Sequence, residues 1–380
     1  MTLKSRRIGW FGIGVALLMV MSGAAFAQSV SLVVPPAGAA RDAFQALEEG
    51  RYKDADAAFA RALAAAPDDP ALLLGAGLAA RRLGNAARAR ELLARALQID
   101  PALTPASQVL GTMLYESGDI EGAIRVYDAA LVRAPDQARM AARVEEWRKE
   151  AALHEGFRRT LGGHFEVLFE GPAEEAAAAA AVDILESAYD SIGGLLQAFP
   201  AEPITVVLYT QQQFRDITRT PGWSGGLFDG RIRLPIRGGL ADRREFERVL
   251  THEYVHALVH SVAAGGVPAW LNEGLAAALE TGGADRARKA IARGTVVPLR
   301  SLERSFGSLP DSAVAGAYAG SALAVLGILD RVGPSRLMGL LADLGAGADF
   351  DRAFTSWVQM PFADFEREWA ANIQEMRSAR

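Results

Sequence analysis

The sequence predicts two domains of different fold class, an all-α array of helical repeats followed by an α+β domain. Two observations support this prediction. A 34-residue period runs through the first part of the chain and then stops, and strand-like segments followed by helical sequence replace it. The chain has 380 residues, of which 50% are apolar, and this is enough to bury more than one hydrophobic core.

Residues 1–27 have the three parts of a secretory signal peptide. Three basic residues precede an apolar run of about 14 residues, and small residues ending at Ala27 follow. We expect cleavage after Ala27, and therefore a periplasmic or secreted protein with no stable membrane span after cleavage. An uncleaved membrane anchor is the alternative, although the apolar run is short for a full span.

The composition excludes two kinds of chemistry. The chain has no cysteine, so disulfides and thiolate metal sites are impossible, and a metal ion would need histidine and carboxylate ligands. The net charge is −5 at pH 7, and removal of the basic signal peptide makes the chain more acidic. Because the sequence also lacks a basic run, we expect no nucleic-acid partner.

Six sequence positions recur three times at a spacing of 34 residues. They hold a glycine, a proline, two alanines, a leucine and a large apolar residue, namely Gly50, Gly84 and Gly118; Pro67, Pro101 and Pro135; Ala55, Ala89 and Ala123; Ala62, Ala96 and Ala130; Leu63, Leu97 and Leu131; and Phe59, Leu93 and Tyr127. This period is typical of two antiparallel helices per unit, with glycine in the turn and proline after the second helix.

The pattern resembles tetratricopeptide repeats, with three units at residues 36–69, 70–103 and 104–137. The resemblance implies that the array binds a protein or peptide partner; a structural spacer is the alternative. Residues 138–162 are predicted to form a helix that seals the last repeat, followed by a linker.

Beyond residue 162 the period is lost and shorter elements are predicted. Residues 164–170 alternate like a strand, residues 174–196 are helical in character, and residues 204–209 resemble a buried strand. Residues 225–236 are predicted to form a hairpin that turns at an Asp-Gly pair. The sequence from Ala241 onward is mostly helical, which completes an α+β domain over residues 163–380.

Three of the five histidines lie in one short segment, THEYVHALVH at residues 251–260. Residues 243–262 have apolar residues at helical spacing, and this predicts a helix. His252 and His256 are then one turn apart and can bind one metal ion, with Glu253 between them near a metal-bound water. A solvated helix with a polar stripe is the alternative, but the apolar neighbours make buried histidine and glutamate unfavourable without a function.

A catalytic zinc site requires three protein ligands and a water, so a further residue is needed. Glycines and a proline at residues 265–268 end the first helix, and the segment WLNEGLA follows at residues 270–276. Glu273, 17 residues after His256, is expected to begin a second, antiparallel helix that returns its carboxylate to the metal.

HEYVH followed by PAWLNEGLA resembles the gluzincin zinc metallopeptidases, which have a thermolysin-type fold, and in particular the peptidase MA-like domains found beside tetratricopeptide repeats. The resemblance covers residues 163–380. It implies that His252, His256 and Glu273 bind Zn²⁺. It also implies that Glu253 is the general base, which takes a proton from the metal-activated water and passes it to the leaving amine.

The resemblance also suggests the group that stabilises negative charge in the transition state. Similar enzymes use a tyrosine or histidine from a later helix, and Tyr318 stands where relatives often carry a tyrosine. Packing is the alternative role for Tyr318. His260 lies two turns from His252 and is rotated away from the metal-binding face, so we expect a supporting role.

A metal-binding histidine is usually oriented by a carboxylate or another acceptor. The position one turn after Glu273 holds Ala277, which cannot act in this way. Glu280 and Asp285 are the remaining candidates.

The resemblance also implies an edge strand, just upstream of the HEYVH helix, that pairs with the extended backbone of a substrate, and residues 227–234 are the candidate. An ordinary sheet edge is the alternative. Gluzincin aminopeptidases, which this segment resembles, normally carry an acidic anchor for the substrate amine upstream of the zinc-binding helix. Residues 225–229 offer no convincing anchor of this kind, and this favours an endopeptidase.

The sequence therefore predicts an exported zinc-dependent peptidase that acts on a peptide or protein and whose repeats recruit a protein partner or the substrate. The alternative is a scaffold or interaction protein built on the repeats, with a weakly active or inactive peptidase-like domain. Because the expected ligands and the base are all present, the enzyme is favoured.

Overall fold

The computed structural model describes residues 38–219, 225–236, 242–307 and 309–378. The predicted signal peptide, residues 1–27, lies outside the described residues.

Three antiparallel helix pairs followed by one longer helix form the first part of the described chain. These helices are α1 (Ala39–Glu48), α2 (Tyr52–Ala65), α3 (Pro70–Arg82), α4 (Ala86–Ile99), α5 (Thr104–Glu116), α6 (Ile120–Arg133) and α7 (Ala138–His154). The recurring glycine in each turn has a positive φ, +73° at Gly50, +76° at Gly84 and +90° at Gly118, which other residues rarely adopt. Each second helix ends two residues before its recurring proline.

A five-stranded mixed sheet begins the second part. Its strands are β1 (Arg158–Leu161), β2 (Phe165–Phe169), β3 (Ile204–Thr210), β4 (Leu227–Phe228) and β5 (Ile232–Ile236). The order is β1-β2-β3-β5-β4; the three inner strands are parallel, and β1 and β4 are antiparallel edge strands. The two predicted strands and the predicted hairpin are confirmed. Strand β1 lies in the segment predicted as a linker, and its largely exposed residues give no alternating pattern.

Eight helices accompany the sheet among the described residues: α8 (Glu175–Leu196), α9 (Gln211–Thr218), α10 (Arg243–Val262), α11 (Ala269–Leu279), α12 (Gly283–Ile291), α13 (Asp311–Gly345), α14 (Phe350–Val358) and α15 (Phe362–Ser378). Helix α13 is interrupted at Gly333, just before Pro334. It is the one described helix long and apolar enough to cross a membrane, but 61% of its most apolar stretch is buried inside the protein. Its residues belong to the core shared by the sheet, α8, α10 and α11.

The turns of the three repeats all contact the α+β domain. At each turn a recurring glycine, or the backbone beside it, lies next to a residue of the second part. The pairs are Gly50 with Gly347, Gly84 with Ser261, and Gly118 with Thr205. The repeats are therefore packed on the second domain along one edge of the array.

The two parts also share a buried polar cluster, which we call the interface cluster (Tyr115, Glu150, Tyr209, Arg231 and Arg233). Arg233 on β5 is fully buried and donates to Glu150 Oε1 at 2.7 Å and to the Tyr209 hydroxyl at 2.8 Å. Tyr115 on α5 donates to the other oxygen of Glu150 at 2.6 Å. Burial alone would raise the pKa of Glu150, but the charges of Arg233 and Arg231 lower it to about 2. Glu150, on α7, is therefore ionised, and its negative charge offsets the positive charges of Arg231 and Arg233.

Candidate active site

Helix α10 carries the HEYVH segment on a buried face. It has the predicted bounds, and the Asp242 side chain caps its start by accepting from the backbone N–H of Glu245 at 3.1 Å. The exposed fractions of His252, Glu253 and His256 are 3%, 0% and 2%. Three ionisable side chains are thus held inside the protein, where they are unfavourable unless they are paired or bind a ligand.

Helix α11 brings Glu273 to the same place. The helix begins at Ala269 rather than at Glu273 as predicted, because the fixed φ of Pro268 starts the helix directly. Glu273 therefore lies in the second turn. The next residue, Gly274, lies so close to α13 that a Cβ on it would be 2.6 Å from the carbonyl oxygen of Ser321. This close contact fixes α11 between α10 and α13.

The side chains of His252, His256 and Glu273 form one buried cluster. One ligand atom from each lies within 4.8 Å of the others. The distance from Glu273 Oε2 to the Nε2 atom is 3.6 Å for both His252 and His256. Tetrahedral ligands about 2.0–2.1 Å from a zinc ion would be roughly 3.3 Å apart, so this spacing fits one ion after a small contraction.

The atoms that point to the centre of this cluster have no hydrogen-bond partner among the described residues. They are His252 Nε2, His256 Nε2 and Glu273 Oε2. Buried polar atoms are rarely left without a partner, and here the three atoms converge on one point. The donor set, two imidazole nitrogens and a carboxylate, is one that zinc accepts. The residues present therefore fit a zinc ion.

Opposite charges inside the cluster stabilise each other. Burial alone would raise the pKa of Glu273, but His256 and His252 lower it well below its usual range. Burial alone would lower the pKa of His252, but the adjacent carboxylates of Glu273 and Glu280 raise it. Glu273 is consequently held as a carboxylate, the form that binds a metal ion.

Both histidines are oriented through their Nδ1 atoms. His252 donates to Glu280 Oε2 at 2.9 Å, and His256 donates to Asn272 Oδ1 at 3.2 Å. These hydrogen bonds place the proton on Nδ1 and direct both Nε2 atoms toward Glu273. Acceptors of this kind fix the tautomer and the orientation of a ligand histidine.

The structure decides between the two carboxylates that the sequence offered for this role. Glu280, at the end of α11, is buried and also accepts from Arg248 at 2.9 Å and from Arg286 at 3.0 Å. Asp285 lies on α12 with 80% of its side chain exposed, beside Arg288. Sequence reasoning did not identify Asn272, although a polar residue directly before Glu273 in an apolar helix is a usable signal.

Glu253 lies beside the cluster, opposite the backbone of Gly226. Both of its carboxylate oxygens are buried and have no hydrogen-bond partner among the described residues. A Cβ on Gly226 would lie 2.8 Å from Glu253 Oε1, so glycine leaves room for the carboxylate. Burial raises the pKa of Glu253, partly offset by His256 and His252. A carboxyl group with a raised pKa is suited to proton transfer.

Tyr318, near the start of α13, lies at the same site. The ring centroids of Tyr318 and His252 are 6.4 Å apart. Burial raises the pKa of Tyr318 well above its usual value, and the charges of Glu273 and Glu253 and a hydrogen bond with Glu273 add to this. The phenol therefore keeps its proton and can act as a hydrogen-bond donor.

His260 does not join the cluster. Its side chain is exposed, and its ring lies 5.6 Å from the ring of Phe228 on β4. The even four-residue spacing from His252 through His256 to His260 therefore does not give three equivalent ligands.

The comparisons with known protein families agree with this arrangement. Residues 188–375 match the model of the Peptidase MA superfamily, and residues 80–143 match a tetratricopeptide-repeat model. No curated protein gives a significant match to the chain. The first match contains the whole His-His-Glu cluster, and the second runs from α3 into α7. The chain therefore carries a domain of the Peptidase MA superfamily, preceded by a tetratricopeptide-repeat region.

Proposed function

We propose that the protein is a zinc-dependent peptidase with His252, His256 and Glu273 as the metal ligands. The observation that carries this proposal is the convergence of three buried ligand atoms beside a buried carboxylate that has no hydrogen-bond partner among the described residues. A zinc ion at this place would supply a Lewis acid that makes water more acidic and polarises the scissile carbonyl.

The chain itself supplies the proton transfer and the positioning. Glu253 accepts the proton of the attacking water and passes it to the leaving amine, which its raised pKa favours. The Tyr318 hydroxyl donates to the oxygen on which negative charge develops. Glu280 and Asn272 keep the two imidazole rings in place.

The remaining parts of the proposal rest on the sequence and on the repeats. Residues 1–27 direct export to the periplasm or the medium, and the repeats recruit a protein partner or the protein substrate. The tetratricopeptide-repeat match supports the second point, because such arrays bind peptides on their helical faces.

Metal analysis of purified protein tests the ligand set. We expect one zinc ion per chain in the wild type and its loss in His256→Ala. His164→Ala should retain zinc, because His164 lies just before β2 and bonds Glu186 instead. Protein that binds no zinc would contradict the proposal and favour a scaffold role for the chain.

Substitution of Glu253, the proposed general base, tests proton transfer separately from metal binding. In Glu253→Gln we expect retained zinc and an unchanged melting temperature, with peptide cleavage reduced by about 10²–10⁴-fold, the usual contribution of a general base. Cleavage at the wild-type rate would refute the assignment of Glu253.

A further inference from the structure

The start of β4 lies directly on the proposed base. A Cβ on Gly226, the residue before β4, would be 2.8 Å from Glu253 Oε1, and the ring of Phe228 lies 5.6 Å from the ring of His260 further along α10. Both carboxylate oxygens of Glu253 are buried, although a general base must come within hydrogen-bond distance of its water. Strand β4 must therefore move away from α10 before a water and a peptide bond can reach Glu253.

Strand β4 is attached to the sheet by few contacts of its own. It is an edge strand, and its described pairing with β5 is confined to Leu227 and Phe228, whereas β5 pairs with β3 through five residues. Local opening of a protein begins where few contacts hold a segment. Strand β4 can therefore leave the edge while β5 stays in the sheet.

The repeats hold the turn between β4 and β5, residues 229–231, which we call the β4–β5 turn. A Cβ on Gly230, where φ is +100°, would lie 2.6–2.8 Å from the Cβ, carbonyl oxygen and Cα of Glu116, the last residue of α5. The guanidinium carbon of Arg231 lies 4.3 Å from the centre of the Tyr115 ring on α5, and its Nη2 atom lies 3.2 Å from Glu150 Oε1 on α7. The turn therefore rests on α5 and α7.

Helices α5 and α7 belong to the inner face of the repeat array. The first helices of neighbouring pairs, α1 with α3 and α3 with α5, pack more closely together than the second helices α2, α4 and α6 do. The array therefore curves with its first helices on the inside, and α7 packs on α6 as the first helix of a further pair. Repeat arrays bind their partners on this concave surface. Here the surface at α5 and α7 is occupied by the β4–β5 turn of the same chain.

The buried arginine at this contact is incompletely paired. Arg231 is 1% exposed, yet its Nε and Nη2 atoms have no hydrogen-bond partner among the described residues, since the approach of Nη2 to Glu150 lacks hydrogen-bond geometry. Buried N–H groups without a partner destabilise the state that contains them, and water would satisfy them once the turn is released. The contact is therefore closely packed but can open at low energetic cost.

We propose that the inner face of the repeats binds the β4–β5 turn as an intramolecular ligand and thereby keeps β4 closed over Glu253. The protein cleaves substrate through the fraction of molecules in which the turn has left the repeats. The repeats then control access to the active site in addition to recruiting a partner. This inference rests on the proposed function, because opening matters only if Glu253 acts as the base.

A reversible cross-link tests whether β4 must move. The chain has no cysteine, so Gly225→Cys with Val249→Cys introduces a single possible disulfide between the segment before β4 and α10. A Cβ on Gly225 would be 3.2 Å and 3.7 Å from the two Cγ atoms of Val249, which is close enough for a disulfide. We expect the oxidised, zinc-loaded form to cleave a library of quenched fluorescent peptides at least about tenfold more slowly than the reduced form, with no such difference in wild type. Equal initial rates in the two forms overturn the proposal.

A variant of the turn tests whether the repeats hold it. In Gly230→Ala the added methyl group meets backbone atoms of Glu116, so the turn must move away from α5. Gly84→Ala is the matched control, because Gly84 also has a positive φ, +76°, where the repeats meet the second domain, but its Cβ would lie at an ordinary 3.5 Å from Ser261. We expect the initial rate to rise at least about fivefold in Gly230→Ala and to stay within about twofold in Gly84→Ala, with zinc retained in both.

Tyr115→Leu loosens the turn without adding an atom to it, and it decides the question if Gly230→Ala does not fold. The substitution removes the ring beside Arg231 and the hydroxyl that donates to Glu150, while leucine keeps apolar contact with Trp147. We expect the same rise in the initial rate. A folded variant of either kind that cleaves no faster than wild type overturns the role of the repeats.

Failure of the proposed function gives a different result. If the reduced cysteine variant and the turn variants hold zinc but cleave none of the peptides, whereas a general metallopeptidase cleaves them under the same conditions, the peptidase assignment itself is rejected. Cleavage that depends neither on the disulfide nor on the turn rejects only the closed state.

Discussion

At the residue scale, the two proposed ligand histidines are oriented by acceptors of different charge. His256 donates to the neutral amide of Asn272, whereas His252 donates to the carboxylate of Glu280. Glu280 is itself held by Arg248 and Arg286. A charged acceptor makes the imidazole a stronger ligand, so Glu280 is the orienting residue whose loss should weaken the metal site more.

For Glu280→Gln we expect the zinc affinity to fall by about 10–100-fold, because the amide orients His252 without the charge. Competition with a zinc chelator measures this directly. Glu303→Gln, which removes a partner of the exposed Arg300, is the matched control and should leave the affinity unchanged. Equal zinc affinity in both variants would show that Glu280 does not act on the metal.

Much of this site could be predicted from the sequence, and one part could not. The four-residue step from His252 to His256 fixes their shared face once a helix is assumed. The orienting carboxylate depends on where α11 ends and on the arginine that α12 contributes. Ala277 occupies the position where a helical step from Glu273 would place this carboxylate, and Glu280 takes that role from the cap residue beyond the helix. No local spacing rule predicts that the orienting carboxylate comes from Glu280 when position 277 holds alanine.

At the element scale, the position of Glu273 depends on how closely α11 approaches α13. Gly274 contacts the backbone of Ser321 and the side chain of Val325, so the two helices meet almost without intervening side chains. The same approach brings Tyr318, one turn earlier on α13, to the proposed metal site. The glycine of WLNEG is thus explained by helix packing and not by a turn.

For Gly274→Ala we expect a loss of about 1–3 kcal/mol in the free energy of unfolding, because the added methyl group overpacks this contact. Zinc binding should weaken as well, since α11 carries Glu273. Gly327→Ala, on α13 with open space around its Cβ, is the control and should stabilise the protein by about 0.5–1 kcal/mol. Denaturant unfolding and zinc titration check both results. A Gly274→Ala variant as stable as wild type would contradict the packing argument.

Elements were predicted well where periodicity was strong and poorly where it was weak. Helix α10 and strand β3 carry long apolar patterns, and their observed bounds agree with the prediction to within a residue. Strand β1 has an exposed sequence, Arg-Arg-Thr-Leu, and its pairing with β2 is decided by the tertiary structure.

At the scale of the whole molecule, the repeats and the α+β domain share buried charges. Beside the interface cluster, His154 at the end of α7 lies with its Nε2 atom 2.9 Å from the Tyr209 hydroxyl. Burial, together with the charges of Arg231 and Arg233, lowers the pKa of His154 to about 4 against the opposing effect of Glu150. His154 is therefore neutral in the folded protein at neutral pH.

This low pKa predicts a loss of stability in mild acid. The unfolded chain binds the proton with a pKa of about 6.5, so the contribution of neutral His154 is complete above that pH and is lost as the pH falls toward 4. For His154→Gln, which cannot titrate, we expect the drop in unfolding free energy between pH 7 and pH 4.5 to shrink by about 2 kcal/mol. Denaturant unfolding at the two pH values measures it, with His164→Gln, at a half-buried histidine outside the interface cluster, as the control. The same drop in wild type and His154→Gln would exclude His154 as the titrating group.

The interface cluster also sets an order of events during synthesis. Glu150 leaves the ribosome before Arg231 and Arg233, and the repeats depend mainly on contacts local in sequence, so they can fold first. The β4–β5 hairpin, which is synthesised later, can then pack its two buried guanidinium groups against repeats that are already folded. A circular permutant with the repeats moved behind residue 378 should reach the same final structure but fold more slowly during cell-free synthesis, because β5 would leave the ribosome before its counter-charge.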